Sequence, residues 1–345
     1  MSKLKSFSES LTIDRVHFNP EKLMVIVDKD NLNVLDELFR LKKFLQVMYI
    51  ITDSSEIRLR YKSSSRIYPL KVNLKSLLRH DIVDEIICCS GSITDKMLED
   101  LKQISNQFGV SLLVPDFAKF PGMEVLHVRR IGNYGFNVLE TTPRKRFIFL
   151  LKNWWEVAFA SFALLVSSPL LLLIAIVIKI DSKGPVIFRQ LRVGRRGRKF
   201  YIYKFRTMVM DAESLKSKLK EKNEADGPAF KIKNDPRITA IGKILRKTGM
   251  DEVPQLYNII LGHMSLIGPR PLLPSEVSAQ EEWQLKRLCI KPGITCTWQI
   301  RPERNKVPFD EWMQLDRDYV ENWSVSDDIK IFFGTIKSFF TARGV

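Results

Sequence analysis

From Val157 to Ile178 the chain reads VAFASFALLVSSPLLLLIAIVI, roughly 22 residues without a charge. As a helix rising about 1.5 Å per residue, this run is long enough for a hydrocarbon core of about 30 Å. It therefore predicts a membrane segment rather than a buried helix of a soluble core. The flanks constrain it further. Arg144, Lys145, Arg146 and Lys152 come before it, and Lys179, Lys183, Arg189, Arg192, Arg195, Arg196, Arg198 and Lys199 come after. Between Thr141 and Met210 there are roughly fourteen basic residues against Glu156 and Asp181. Positive charge marks the cytoplasmic end of a membrane segment, and here both ends carry it.

A simple span would leave one basic end on the wrong side. Ser167-Ser168-Pro169 at the centre offers another path. Proline removes an intrahelical hydrogen bond, and neighbouring serines can satisfy the freed carbonyls. A helix that enters, bends at Ser168-Pro169 and leaves by the same face suits both flanks, with a mildly kinked span as the competing reading. Trp154 and Trp155 stand where interfacial anchors would. The formal net charge of +16 and pI near 9.6 point to a polyanionic partner: nucleic acid, anionic lipid or a phosphorylated substrate. The 345 residues, 45% of them hydrophobic, allow two domains. The N-terminal MSKLKSFSESLTIDR has no apolar core of signal-peptide length, so no secretion signal is expected.

Ahead of the membrane segment, short apolar runs at Leu23–Asp28, Leu45–Asp53, Asp84–Ser90 and Val110–Asp116 alternate with helical patterns. The latter lie at Leu32–Lys43, Leu74–His80 and Asp95–Phe108. Such alternation predicts a parallel sheet, giving an α/β fold class with a Rossmann-like domain over residues 1–121. A dinucleotide site would need glycines after the first strand, but the chain has Asp28-Lys29-Asp30-Asn31 there. A regulatory or dimerising role is expected instead. Residues 122–143 read as a strand-rich connector, and 144–345 form the remaining domain, with the membrane helix at about 153–180. Four cysteines lack metal-ligand spacing, and Cys88-Cys89 reads as buried thiols.

Beyond the membrane segment, Gly194 and Gly197 split two runs that predict an arginine-rich hairpin over Gly184–Met208. It suits either a basic surface on lipid or a phosphate-handling surface. Near the C-terminus, Asp310–Phe340 has helical periodicity and fits the membrane surface or the core. In LRKTGMDEVPQLYN, Asp251 and Glu252 suit a helix start, with Asp251 as N-cap. A tight GPRP turn at Gly268–Pro271 fixes Arg270, and KPGITCTWQIRPERN supplies Arg301 and Arg304. Guanidinium groups grip phosphate in a bidentate manner. A carboxylate beside them is expected to have a depressed pKa, and to attack phosphorus or hold a divalent cation.

The motifs GPVIFRQLRVG, YKFRTM, NDPRIT, LRKTGMDEVPQLYNII, MSLIGPRPLL and KPGIT closely resemble the bacterial sugar transferase family. Its members are monotopic phosphoglycosyl transferases that begin surface glycan assembly on a polyprenyl carrier. The resemblance covers about Lys145 to Phe340 and implies a mostly helical α+β domain behind a re-entrant helix bent at Ser168-Pro169. It implies a ping-pong reaction in which Asp251 attacks a nucleoside diphosphate sugar, a UDP-sugar, and UMP leaves. The phosphosugar then passes to polyprenyl phosphate. Glu252 with Asp251 would hold Mg²⁺, while Lys204, Arg206, Arg246, Arg270 and Arg304 would meet phosphate groups. The expected location is the cytoplasmic leaflet of the inner membrane, facing the cytoplasm, with a homodimer as the expected assembly and no nucleic-acid partner. The chain departs from the family in reading WQIRPERN, with Glu303 before Arg304, where Gly-Arg is frequent. Larger members begin with four spanning helices; with no long apolar run before Val157, this chain is expected to keep the soluble domain without them.

Overall fold

The computed structural model describes residues 21–91, 93–116, 125–140, 146–219, 232, 234–278, 282–301 and 307–340. The chain divides into two compact units, Met1–Arg146 and Phe147–Val345.

In the first unit, β1 (Glu21–Val27), α1 (Leu32–Arg40), β2 (Leu45–Ile51), α2 (Ser55–Tyr61), β3 (Arg66–Tyr68), α3 (Leu74–His80), β4 (Glu85–Cys89), α4 (Asp95–Phe108) and β5 (Ser111–Pro115) follow in order. Strands β1 to β5 pair in parallel. Helix α4 shows how locally such an element is specified. The Thr94 hydroxyl accepts from the Met97 N–H at its start, Leu98, Leu101 and Phe108 are buried, and Gly109 ends it at φ +67. Leu23, Val25, Ile50, Ile87 and Leu113 are buried in one cluster. The four cysteines are free and buried.

The stretch expected to be a connector instead completes this sheet. Strands β6 (His127–Ile131) and β7 (Tyr134–Glu140) form a hairpin, and β7 pairs antiparallel with β5. The sheet order is β3-β2-β1-β4-β5-β7-β6. Phe136 and Val138 bury themselves in the same core, which is why the hairpin belongs to this unit.

The second unit starts with α5 (Arg146–Asp181), a helix of 36 residues with Pro169 inside it. Among the described residues it is the helix long and apolar enough to cross a membrane. Ser167 donates to the Ala163 carbonyl at 2.6 Å and Ser168 to the Leu165 carbonyl at 2.7 Å, so hydroxyls satisfy backbone oxygens on the turn ahead of Pro169. Phe162, Leu165, Val166, Leu172 and Leu173 in its middle are exposed. Both ends are packed. Val157, Phe159 and Ala160 join a cluster with Phe200, Ile202 and Tyr319, and Ile178 joins one with Phe205 and Leu245.

The expected hairpin follows, as β8 (Ile187–Val193) against β9 (Lys199–Phe205). After it come α6 (Ala212–Lys218), α7 (Ala240–Thr248), a 3-10 helix (Met250–Gln255) and α8 (Leu256–Ile260). Strands β10 (Ser265–Ile267) and β11 (Gly293–Thr295) pair in parallel around α9 (Pro274–Ser278), and α10 (Phe309–Asn322) and α11 (Val325–Phe340) close the unit. Buried Lys152 on α5 sits 2.8 Å from Asp328 and donates to the Tyr319 hydroxyl at 3.1 Å. Glu156, one turn on, accepts from Ser265. This network ties the root of α5 to β10, α10 and α11.

Candidate active site

Asp251 and Glu252 owe their place to the end of α7. Gly249 adopts φ +67, a left-handed value that glycine takes without a Cβ clash, and the chain re-enters helical geometry in the short 3-10 helix. A helix therefore does begin here, but its N-cap is Gly249 and no side chain caps it. The expectation that Asp251 is the N-cap is thus corrected: the aspartate lies inside the first turn, where its carboxylate accepts from its own backbone N–H.

Strand β9 runs beside this turn. Lys204 Nζ meets Glu252 Oε1 at 2.5 Å. Asn258 fixes the strand against α8 by accepting from the Tyr203 N–H at 3.1 Å and donating to the Tyr201 carbonyl at 2.7 Å. Arg246, in the last turn of α7, donates from Nε to Thr207 Oγ1 at 2.9 Å. Gly242 allows this approach, since a Cβ there would lie 2.2 Å from the Thr207 carbonyl oxygen.

The electrostatics differ from the sequence expectation in sign. Burial pushes the Asp251 carboxyl up to about 6; Lys204 opposes this, the charge of Glu252 adds to it, and Arg246 opposes it. The neighbouring cations thus do not depress it as expected, because removal from water outweighs them. At neutral pH the group is still mainly ionised. Burial likewise lowers the Arg246 pKa, against the pull of Asp251.

Lys204 and Glu252 line a small open cleft together with Arg192, Gln255, Arg270 and Gln299. The Arg270 guanidinium lies 5.9 Å from the centre of the Trp298 ring. Of the basic residues expected at phosphate, Lys204 and Arg270 share this cleft, and Arg246 stands next to Asp251. Arg206 is placed elsewhere. Its buried guanidinium donates to the Ser182 carbonyl at 2.6 Å, the Lys183 carbonyl at 2.9 Å and the Ser182 hydroxyl at 3.0 Å, at the C-terminal end of α5. Arg304 lies outside the described residues, and Ser168-Pro169 lies in mid-helix. Arg192, Gln255 and Gln299 lie within the GPVIFRQLRVG, LRKTGMDEVPQLYNII and WQIRPERN stretches but were given no role there: Arg192 sits among many arginines of a basic hairpin, and a glutamine carries no charge to mark it.

For a divalent cation, the described residues hold no cluster of three or more His, Cys, Asp or Glu. The Asp251-Glu252 pair nevertheless suits Mg²⁺, which takes one or two protein carboxylates and completes its shell with substrate phosphates and water. Such an ion would relieve the repulsion from Glu252 that helps raise the Asp251 pKa.

The chain is similar to known proteins. The bacterial sugar transferase profile matches residues 147–342. The galactosyl transferase CpsE of Streptococcus agalactiae is 33% identical over 337 residues, covering 94% of this chain and 72% of that protein. The undecaprenyl-phosphate galactose phosphotransferase of Salmonella typhimurium is 40% identical over 206 residues, 58% of this chain and 42% of that protein. The UDP-glucose:undecaprenyl-phosphate glucose-1-phosphate transferase of Escherichia coli is 34% identical over 270 residues, 74% of this chain and 54% of that protein. The chain thus spans about half the length of the latter two. The matched stretch contains Asp251, Glu252, Lys204, Arg246 and Arg270, and the chain belongs to the bacterial sugar transferase family.

Proposed function

We propose that this enzyme transfers a sugar 1-phosphate from a UDP-hexose to polyprenyl phosphate, as the first membrane step of surface glycan assembly. The observation that carries the reading is Asp251, half-buried and ionisable near pH 6, beside a cleft lined by Lys204, Arg192 and Arg270. An Asp251 oxygen attacks the phosphorus that bears the sugar. The bond to the bridging oxygen breaks, and UMP leaves with its electron pair. A phosphate oxygen of polyprenyl phosphate then attacks the same phosphorus, and the Asp251 carboxylate is released. Two half-reactions let one site serve a soluble donor and a lipid acceptor in turn. Lys204 and Arg270 hold donor phosphate oxygens in the cleft, and Arg246 stabilises the carboxylate between turnovers. Asp251 and Glu252 would hold Mg²⁺, which would supply positive charge against the diphosphate.

The test is UMP release from a panel of UDP-sugars by membrane-embedded protein. Asp251→Asn should abolish release, and a wild-type rate in that variant refutes the nucleophile. The panel also identifies the sugar.

The membrane helix is read as re-entrant and the protein as monotopic on the cytoplasmic leaflet. Support comes from the basic flanks at both ends of α5 and the packing of both ends into one unit. Single cysteines near Ser2 and Gly344 should both be protected from an impermeant reagent in intact cells; labelling of one alone favours a span. In the first unit Asp28 accepts from the Gly91 N–H at 2.6 Å and from Asn31 Nδ2 at 2.8 Å. A carboxylate thus occupies the strand end where a dinucleotide's pyrophosphate would need backbone amides, which favours a regulatory or dimerising role. A solution mass of two chains would support the dimer.

A further inference from the structure

The turn that carries Arg270 is held with unusual completeness. Four successive carbonyls, Pro269 to Leu272, each accept a hydrogen bond from a different residue. The donors are the Gly293 N–H at 2.9 Å, Arg287 Nη2 at 2.5 Å, Arg192 Nη1 at 3.1 Å and the Val193 N–H at 2.9 Å. The middle two are side chains, and they hold the carbonyls of Arg270, whose own guanidinium lines the cleft, and of the residue after it. The Arg270 carbonyl is held by Arg287, and the next carbonyl, that of Pro271, by Arg192.

Each of these arginines also has a carboxylate from a separate helix beside it. Arg287 sits 2.7 Å from Asp316 of α10, with both side chains almost wholly buried. Arg192 sits 3.7 Å from Glu276 of α9 and also donates to Gln190 Oε1 at 2.5 Å. The Glu276 carboxylate reaches back to the turn as well, accepting from the Leu273 N–H at 2.7 Å. Burying guanidinium groups close to a third cation costs solvation and Coulomb energy. Neutral donors would satisfy the same carbonyls more cheaply. What a buried, carboxylate-anchored guanidinium adds is rigidity, because its planar fork is fixed at both ends.

We propose that Arg192 and Arg287 are positioning residues that clamp the Gly268–Pro271 turn and so aim the Arg270 guanidinium at a phosphate of the sugar nucleotide. The inference rests on the reading that Arg270 meets phosphate. A guanidinium–phosphate contact depends on angle as well as distance, so a turn free to rock by a fraction of an ångström loses much of it.

The test is a double-mutant cycle on the full-length enzyme in membranes, read as kcat and KM for UMP release from the accepted UDP-sugar. Arg192→Met removes the donor and keeps the length. It should raise KM about tenfold, the value of one well-made charge-assisted hydrogen bond. In an Arg270→Ala background the same change should cost less than about twofold, because the residue that Arg192 aims is gone. An equal loss in both backgrounds overturns the proposal, since Arg192 then acts on the ligand or the fold directly. Thermal unfolding of each variant separates a fold defect from a kinetic one. Arg192→Lys supplies the same cycle if the methionine variant does not accumulate. Arg270→Ala with wild-type kcat/KM would refute the phosphate reading of Arg270 itself, and that result is visible before any Arg192 variant is made.

Discussion

If Asp251 is the nucleophile, the pH dependence of the first half-reaction is set by its carboxyl, and neighbouring charges should move that dependence in opposite directions. Burial holds the group at about 6, with Glu252 pushing it up and Lys204 pulling it down. Only the ionised form attacks, so the rate of UMP release should fall as pH drops through the carboxyl's titration, at about 6 for the metal-free pair and lower where Mg²⁺ is bound. Lys204→Met removes the cation. An opposite charge at contact range shifts a carboxyl by about 1–3 units, and the partial exposure of Lys204, together with its contact to Glu252 rather than Asp251, argues for the low end. The half-maximal pH should therefore rise by about one unit, equivalent to about 1.4 kcal/mol. Glu252→Gln removes the like charge and should lower it by a similar amount. The assay is rapid-quench UMP release in a single turnover without acceptor, from about pH 5 to about pH 8.5. A move from about 6 to about 7 cuts the ionised fraction at pH 7.5 only from about 97% to about 76%. Any larger loss for Lys204→Met at pH 7.5 is therefore lost phosphate contact, and the midpoint and the amplitude report separate roles. Two variants that lose rate but keep the wild-type midpoint would refute the assignment of this limb to Asp251.

Three further substitutions probe the frame around the site. Gly242→Ala would place a methyl 2.2 Å from the Thr207 carbonyl oxygen; it should destabilise by about 1–3 kcal/mol and lower kcat as α7 shifts with Arg246, and an unchanged unfolding midpoint refutes the close approach. Lys152→Met strands Asp328 and Glu156 without their cation and should cost about 3–5 kcal/mol in thermal unfolding, with Asp328→Asn in the same chain restoring part of it. Arg206→Met should lower stability while KM for the UDP-sugar stays within about twofold of wild type. A raised KM without loss of stability would instead place Arg206 at phosphate.

Where local chemistry decides, the sequence was easy to read. Thr94, the buried periodicity of Leu98, Leu101 and Phe108, and Gly109 delimit α4 without any tertiary information. Gly194 and Gly197 mark the turn of the β8–β9 hairpin for the same reason. Partners distant in sequence were not legible. The arginine of YKFRTM looks the same whether it meets phosphate or the Ser182 carbonyl 24 residues away. Arg287 has no local sign that it holds the Arg270 carbonyl, and β7 shows alternation but not that β5 is its neighbour. The sign of the Asp251 shift was hidden for a related reason. A sequence displays the charges near a carboxylate but not the water it has lost, and here the lost water dominates.

The Arg206 anchor has a mechanical consequence. Lys204 lies two residues before Arg206 on the same stretch of chain, so the lysine that grips Glu252 and the guanidinium that grips the end of α5 are joined by one short, stiff length of backbone. A change in the depth or angle at which α5 sits in lipid would, through Arg206, pull on the strand that carries Lys204. The acyl chains of the surrounding bilayer would then reach the geometry beside Asp251, and turnover in vesicles of graded lipid length would measure how tightly the two are coupled.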